Sequence, residues 1–170
     1  GIGVDYEPHF IDLDDPHLGR YPLAILTGHY DFTFSASETK NLRRYLQRGG
    51  MLLCSAAAGL KPFDIAVRRE LDTVLPGQEW IELPPSHPLF KNGWLSIDGV
   101  NYTPLVKQEM PLLDEPRFFA LFVNERIAVL HTPYDLFSGV NRESNAYAKG
   151  VVAEDAQKLA VAIATYVLSH

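Results

Sequence analysis

Cysteine is almost absent from this chain of 170 residues, because Cys54 is the only one. One thiol cannot form an internal disulfide, which mildly favours a reducing compartment. Long apolar runs are absent too. The longest covers only Leu159 to Leu168, about half of the roughly 20 residues that a membrane-spanning helix needs. We therefore expect no direct membrane insertion by this segment.

An excess of positive charge is also missing, since 15 Lys and Arg residues stand against 21 Asp and Glu residues and the formal net charge is -6. Proteins that bind nucleic acid need clustered cations for the phosphate backbone, so we expect no nucleic-acid partner. Neither a G-x-G-x-x-G nor a G-K-[ST] segment occurs. Because these motifs cradle phosphates, no nucleotide cofactor is predicted.

Hydrophobic residues make up 46% of the chain and charged residues 21%, which is typical of a soluble globular protein. At this length we expect one α/β domain over residues 1–170. The first residue is Gly1 rather than Met, which favours a processed chain or a domain excised from a longer protein. Localisation stays open between the cytoplasm and, for part of an exported or membrane-anchored protein, the periplasm.

Strands and helices alternate in the first half. The pattern predicts a strand over 21–27, a helix over 35–48, a buried strand over 51–54 and a helix from Pro62 to Pro76. Ser35 and Glu38 have the spacing of a capping box at a helix start, and Gly49-Gly50 is typical of a helix end. This order predicts a parallel sheet with helices on its faces.

The second half is less regular. Apolar runs over 117–123 and 126–131 are separated by Asn124-Glu125, which predicts an antiparallel hairpin at or near a sheet edge. A final helix over 154–168 has an apolar stripe toward the sheet. Between them, residues 132–152 show no periodicity, and long loops of this kind are often lids.

Residues able to do chemistry follow four predicted strands, which cover 21–27, 51–53, a short run over 80–83, and 127–130. In an open α/β sheet, ligands bind in the crevice outside the carboxyl ends of the strands. We therefore predict a ligand-binding crevice at that edge. Its candidate residues are Gly28, His29, Ser55, His87, Tyr134 and Asp135.

A family resemblance rests on several blocks. They are Tyr21-Pro22 through Thr27-Gly28-His29, Leu42 to Leu46 with Gly49-Gly50, Phe63-Asp64 through Arg69-Glu70-Leu71, Ser86 to Phe90, Arg126 to Val129, and Lys158 to Leu168. Over nearly the whole chain they resemble an uncharacterised bacterial domain family of unknown function, grouped with class I glutamine amidotransferase-like proteins. The resemblance implies a flavodoxin-like, three-layer α/β/α sandwich with a mostly parallel sheet.

The chain departs from that family in two places. The family has a further strand before the point at which this chain begins. It also often carries acidic residues where this chain has Cys54-Ser55-Ala56-Ala57. What the resemblance implies for function at this position is therefore open.

Catalysis through Cys54 is one hypothesis, with His29 or His131 as the base. Class I amidotransferases use a nucleophilic Cys that lies on a strained turn and is activated by a His. Such a turn requires small residues on either side of the Cys. Leu52 does not fit, and Thr132-Pro133 stand where that family has the rest of its His-x-Glu pair. We favour the alternative, a small apolar residue that ends a core strand.

The histidines each have two interpretations. His29 is either a ligand contact or part of the crevice wall, with equal weight. His131 is either oriented by Asp135 for acid-base work, or it points into the sheet while Asp135 caps the loop, which is favoured. His87 either binds a ligand or holds a proline-rich turn, which is again favoured. Although these four residues could bind zinc, none has the short spacing of a zinc motif, and no metal is predicted.

Three functions follow from these patterns. The favoured one is a non-catalytic or degenerate amidotransferase-like domain that binds a small ligand or a protein partner in the crevice. The second is a cysteine-dependent hydrolase or amidotransferase that uses Cys54. The third is a structural domain of a larger envelope-associated protein.

Overall fold

The computed structural model describes residues 9–142 and 147–169. They form an α/β fold with a five-stranded mixed sheet, flanking helices and a small antiparallel hairpin. The strands are β1 (Leu23–Gly28), β2 (Met51–Ala56), β3 (Ile81–Glu82), β4 (Lys91–Asn92), β5 (Leu95–Ser96), β6 (Phe119–Val123) and β7 (Arg126–Thr132). The helices are α1 (Ala36–Gln47), α2 (Lys61–Val74), α3 (Pro104–Glu109), α4 (Phe137–Val140) and α5 (Ala153–Ser169).

The sheet has the strand order β1-β2-β7-β6-β3. β1 pairs with β2 and β2 with β7 in parallel, whereas β6 is antiparallel to both β7 and β3. The predicted parallel arrangement is therefore confirmed for β1, β2 and β7, and the sheet as a whole is mixed. The cause is the hairpin of β6 and β7, whose turn residues Asn124 and Glu125 have φ values of 50° and 63°, as a tight hairpin turn requires. Within this hairpin β6 lies beside the edge strand β3, but β7 lies at the centre of the sheet.

The helices of the first half confirm the predicted pattern. Ser35 Oγ accepts from the backbone N–H of Glu38, and the Glu38 carboxylate accepts from the Ser35 N–H, so the predicted capping box starts α1. Gly49, with φ of 113°, follows the end of α1. Pro62 lies in the first turn of α2, as predicted. Local signals were sufficient for these boundaries because caps and glycines act within one turn of the helix.

Helices cover both faces of the sheet. Leu52 and Cys54 of β2 belong to a hydrophobic cluster with residues of α1 and α2, whereas Met51 and Leu53 belong to a second cluster with residues of α5. Because successive strand residues point to opposite faces, the two clusters lie on opposite sides of β2. No helix within 9–142 and 147–169 has the length and apolar content to cross a membrane.

In the segment over 132–152, which the sequence predicts to be a lid, the two ends are hydrogen-bonded to each other. The Asp135 N–H donates to the Lys149 carbonyl at 2.9 Å, and the Val151 N–H donates back to the Asp135 carbonyl at 3.0 Å. The Lys149 N–H also donates to the Ala58 carbonyl at 3.0 Å, in the turn after β2. Residues 143–146 of this segment lie outside the described residues. The described ends are therefore joined to each other and to the turn after β2.

Candidate functional site

The carboxyl ends of three parallel strands meet at one edge of the sheet. Gly28 of β1 is in register with Ala56 of β2, and Thr132 of β7 is in register with Ser55 of β2. Ligands in open α/β sheets bind outside this edge. We refer to it as the carboxyl edge.

Gly28 ends β1 in close contact with α2. A Cβ atom at this position would lie 2.8 Å from Cε2 of Phe63, whose side chain is buried. Gly28 is therefore needed for close packing against an aromatic ring. The next residue, His29, is exposed, with its ring centroid 6.0 Å from that of Tyr30.

Cys54 is completely buried in the cluster between the sheet and helices α1 and α2. Burial raises the pKa of its thiol far above the ordinary value, because the thiolate would lose its hydration. The nearest histidine contact is to the backbone, since Nδ1 of His131 lies 3.3 Å from the Cys54 carbonyl oxygen. The thiol is therefore held in its neutral form within the apolar core.

His131 pairs with Asp64 of α2. Its Nε2 lies 2.6 Å from Oδ1 of Asp64, and the imidazole has no exposed surface. The sequence offers Asp135 as one partner for His131 but favours a loop-capping role for Asp135; in the structure the side-chain partner of His131 is Asp64. The reason is direction: the His131 side chain points toward α2, while Asp135 lies beyond the end of β7 in the following loop.

Asp135 and Ser55 hold that loop in place. The Asp135 carboxylate accepts from the Ala58 N–H at 2.8 Å, and from the N–H and hydroxyl of Ser138 at 2.9 and 2.8 Å. Ser55 Oγ donates to the Tyr134 carbonyl and accepts from the Leu136 N–H, both at 3.1 Å. Both side chains are buried, and they tie the turns after β2 and β7 to each other.

His87 lies apart from the other candidates. Its Nδ1 accepts from the Leu89 N–H at 3.1 Å, and its ring centroid lies 6.0 Å from that of Tyr166 in α5. Tyr166 lines a small cavity with Met51 and Ile127, which stand at the amino ends of β2 and β7. The contacts of His87 are therefore at the opposite end of the sheet from the carboxyl edge.

The carboxyl edge contains a charged group that the sequence does not single out. Asp64 accepts from His131 and also from Nε of Arg68 at 3.2 Å. Burial acts to raise the pKa of Asp64, but the hydrogen bonds and charges of His131 and Arg68 outweigh it and lower this pKa. Asp64 is therefore held as a carboxylate. The i, i+4 spacing of Asp64 and Arg68 on a helix was the one available signal for their ion pair.

Aromatic rings surround the Arg68 guanidinium. Its Cζ lies 4.4 Å from the ring centroid of Phe119 and 5.4 Å from that of Trp80. The Trp80 ring also packs edge-on against His131, with the centroids 5.9 Å apart. Phe119 is the direct neighbour of His131 in the sheet register. These contacts define the edge cluster: Asp64, Arg68, Trp80, Phe119 and His131.

A second arginine adjoins the edge cluster. Arg117 Cζ lies 5.8 Å from the Phe119 centroid, and its Nε donates to Glu82 at 3.2 Å. Its Nη1 lies 3.2 Å from Sδ of Met110, which also contacts the Tyr134 hydroxyl at 3.4 Å. Within the described ranges, no group of three or more His, Cys, Asp or Glu residues has the arrangement of a metal site.

The chain belongs to the family described as Domain of unknown function (DUF4159), whose model matches residues 1–168. This agrees with the resemblance to a family of unknown function that the sequence blocks indicate. A comparison with curated proteins found no match.

Proposed function

We propose that this protein is a non-catalytic, degenerate amidotransferase-like domain that binds a small ligand or a protein partner at the carboxyl edge. We also infer that it has a flavodoxin-like three-layer sandwich, of the kind found in class I glutamine amidotransferase-like proteins. The helices on both faces of the sheet and the β1-α1-β2 connection between parallel neighbours support this inference.

The environment of Cys54 carries the proposal. A nucleophilic Cys needs partial exposure and a base or cation that stabilises its thiolate. Cys54 has no exposed surface, and its burial disfavours the thiolate. The imidazole of His131 is directed at the Cys54 carbonyl and at Asp64, so neither recorded hydrogen bond of its ring involves the thiol. His29 lies on the exposed surface beyond β1.

The other polar candidates act within the fold. Asp135 and Ser55 use their side-chain oxygens to fix neighbouring turns, which leaves them engaged by the protein itself. The edge cluster differs because Arg68 and Trp80 are partly exposed. A ligand that approaches the carboxyl edge therefore meets a cation and aromatic rings, which suit recognition better than a hydrolytic step.

Alkylation of Cys54 tests the non-catalytic character. Iodoacetamide should modify the folded protein no faster than global or local opening allows, and modification should become rapid in urea, where the thiol is exposed. Cys54→Ala is the control for modification at other residues. The proposal fails if the folded protein reacts rapidly and selectively near neutral pH and if either His29→Ala or His131→Gln abolishes that reactivity while the variant stays folded.

A further inference from the structure

We propose that Arg68 is the anchor of a binding site for small carboxylates at the carboxyl edge, with Phe119 and Trp80 as its aromatic walls. This inference rests on the proposed function and gives its ligand a chemical class. It follows from the position of the Arg68 side chain, from its hydrogen-bond partners and from the charges around it.

The Arg68 side chain is held in one place by contacts on several sides. Asp64 binds its Nε, and the Phe119 and Trp80 rings lie 4.4 and 5.4 Å from its Cζ. A free Arg side chain has many rotamers, and a ligand that orders it would have to overcome the loss of that entropy. Here the protein has already ordered the guanidinium, and such preorganisation favours binding.

The outer edge of this guanidinium is open to an external acceptor. Over residues 9–142 and 147–169, the recorded hydrogen bond of Arg68 uses only Nε, and none uses its two Nη atoms. The side chain is 32% exposed. A guanidinium presents its two Nη groups as a planar fork that matches a carboxylate in a bidentate arrangement. The unused groups of Arg68 therefore have the geometry of a carboxylate receptor.

The free fork of Arg68 suits one singly charged carboxylate. Asp64 accepts from Arg68 Nε at 3.2 Å, and Asp72 lies close by, since it accepts from Nε1 of Trp80 at 3.0 Å. These two carboxylates repel a phosphate dianion more strongly than a singly charged carboxylate. The site therefore favours a monocarboxylate over phosphate.

The neighbouring Arg117 is not part of the proposed carboxylate site. Arg117 is paired with Glu82, and both line a separate cavity of about 220 Å³ with Glu115. Arg117 Nε donates to Glu82 and its Nη1 contacts Met110 Sδ, which leaves no free fork for a carboxylate. The proposed site is therefore on the Arg68 side of Phe119.

Tryptophan fluorescence can measure the binding directly. Trp80 lies beside Arg68, whereas the only other tryptophan, Trp94, is exposed and lies in the β4–β5 hairpin. In a Trp94→Phe background, Trp80 reports on the site alone. Benzoate and acetate should produce saturable changes at constant ionic strength, whereas chloride should produce none and phosphate should bind more weakly than either carboxylate.

Variants test the role of the fork. Arg68→Lys keeps the charge but removes the bidentate geometry, and we expect about tenfold weaker benzoate binding. Arg44→Gln, at an exposed position of α1, is the matched control and should bind as the parent does. If Arg68→Lys does not fold, the NMR signal of the Arg68 Nε–H in the parent protein provides the readout, and benzoate should shift it.

Specific outcomes overturn the inference. These are the absence of any saturable response to carboxylates, equal binding by the parent and Arg68→Lys, and an equal response to chloride. If Cys54 is unreactive but carboxylates do not bind, the Arg68 site is wrong and the non-catalytic proposal stands. If Cys54 is reactive in the folded protein, the proposed function fails whatever Arg68 binds.

Discussion

The imidazole of His131 at the end of β7 contacts the carboxylate of Asp64 in the first turn of α2, with 2.6 Å between Nε2 and Oδ1. The two residues are 67 positions apart in sequence. Their contact joins the central strand of the sheet to one flanking helix, in a region from which water is largely excluded. It also positions Asp64 to hold Arg68, so a hydrogen bond to a buried imidazole supports a partly exposed cation.

We expect Asp64→Asn to reduce the acid sensitivity of the fold. The pKa of Asp64 is lowered in the folded protein, so the unfolded chain takes up this proton first as the pH falls. The stabilisation is thus present above the unfolded value of about 3.9 and is lost as the pH falls through the folded value. Urea unfolding between about pH 6 and about pH 3 should show a shallower loss of stability in the variant.

Asp14→Asn, which changes an exposed carboxylate outside this contact, is the control for the change in net charge. An identical pH dependence in Asp64→Asn and the parent would show that the contact with His131 does not contribute to stability in acid. At neutral pH, Asp64→Asn should also be less stable than the parent, because the buried His131 ring and Arg68 lose their carboxylate acceptor.

Gly28→Ala should destabilise the protein by about 1 to 3 kcal/mol. The added Cβ would lie 2.8 Å from the buried Phe63 ring, and Gly28 is not among the glycines with positive φ, so steric overlap is the cause. Gly19→Ala is the matched control, because nothing lies within 4 Å of its added Cβ. Urea midpoints measure both. If adding Phe63→Leu to Gly28→Ala raises the urea midpoint again, the Phe63 ring is the obstacle. Equal urea midpoints for Gly28→Ala and Gly19→Ala would contradict the predicted overlap.

Asp135→Ala should cost about 2 to 3 kcal/mol of unfolding free energy, since it removes the acceptor of the Ala58 N–H and of Ser138. Ala58 has φ of 54°, so this turn depends on its hydrogen bonds. Asp135→Asn keeps one acceptor oxygen and should lose less. If both variants have the unfolding free energy of the parent in chemical denaturation, the Asp135 carboxylate does not stabilise the fold. A role for Asp135 in ligand binding would then be favoured.

Hydrogen exchange separates a fixed segment from a lid. We expect the amides of Lys149 and Val151 to exchange more slowly than those of the exposed residues Asp98 and Gly99. The Lys149 N–H donates to Ala58 in the turn after β2, and the Val151 N–H donates to Asp135 at the other end of the same segment. The sequence alone predicts fast exchange over residues 138–150. Rapid exchange of Lys149 and Val151 in the free protein, slowed by a bound ligand, would restore the lid interpretation.

Local signals predicted the elements of this fold well. The capping box at Ser35, Pro62 in the first turn of α2, and the Asn124-Glu125 turn each act over a few residues, so their meaning does not depend on the rest of the chain. The strand order was less accessible. No local sequence signal in β6 or β7 predicts that β7 pairs with β2 at the centre of the sheet. This pairing joins the antiparallel hairpin to the parallel strands, so the sheet is mixed.

The candidate site shows the same division. The strand-end rule drew attention to His131, Asp135 and Ser55. In the structure Ser55 and His131 are near the carboxyl ends of β2 and β7, and Asp135 follows β7. Their partners come from distant segments: Asp64 lies on a helix, and Ala58 and Leu136 lie in turns. Hydrogen bonds between side chains depend on direction as well as proximity, and direction is set only when strands and helices pack.

By itself, the sequence determined the α/β class, the positions of the main helices and strands, and the set of polar residues after the strands. Periodicity, caps and turn residues specify these features because each is encoded within about one to three turns of chain. Only the tertiary structure decided that Cys54 is sealed in the core, that His131 takes Asp64 as its partner, and that Arg68 lies between aromatic rings. Burial and long-range pairing decide these relations, and both arise when distant segments exclude water together.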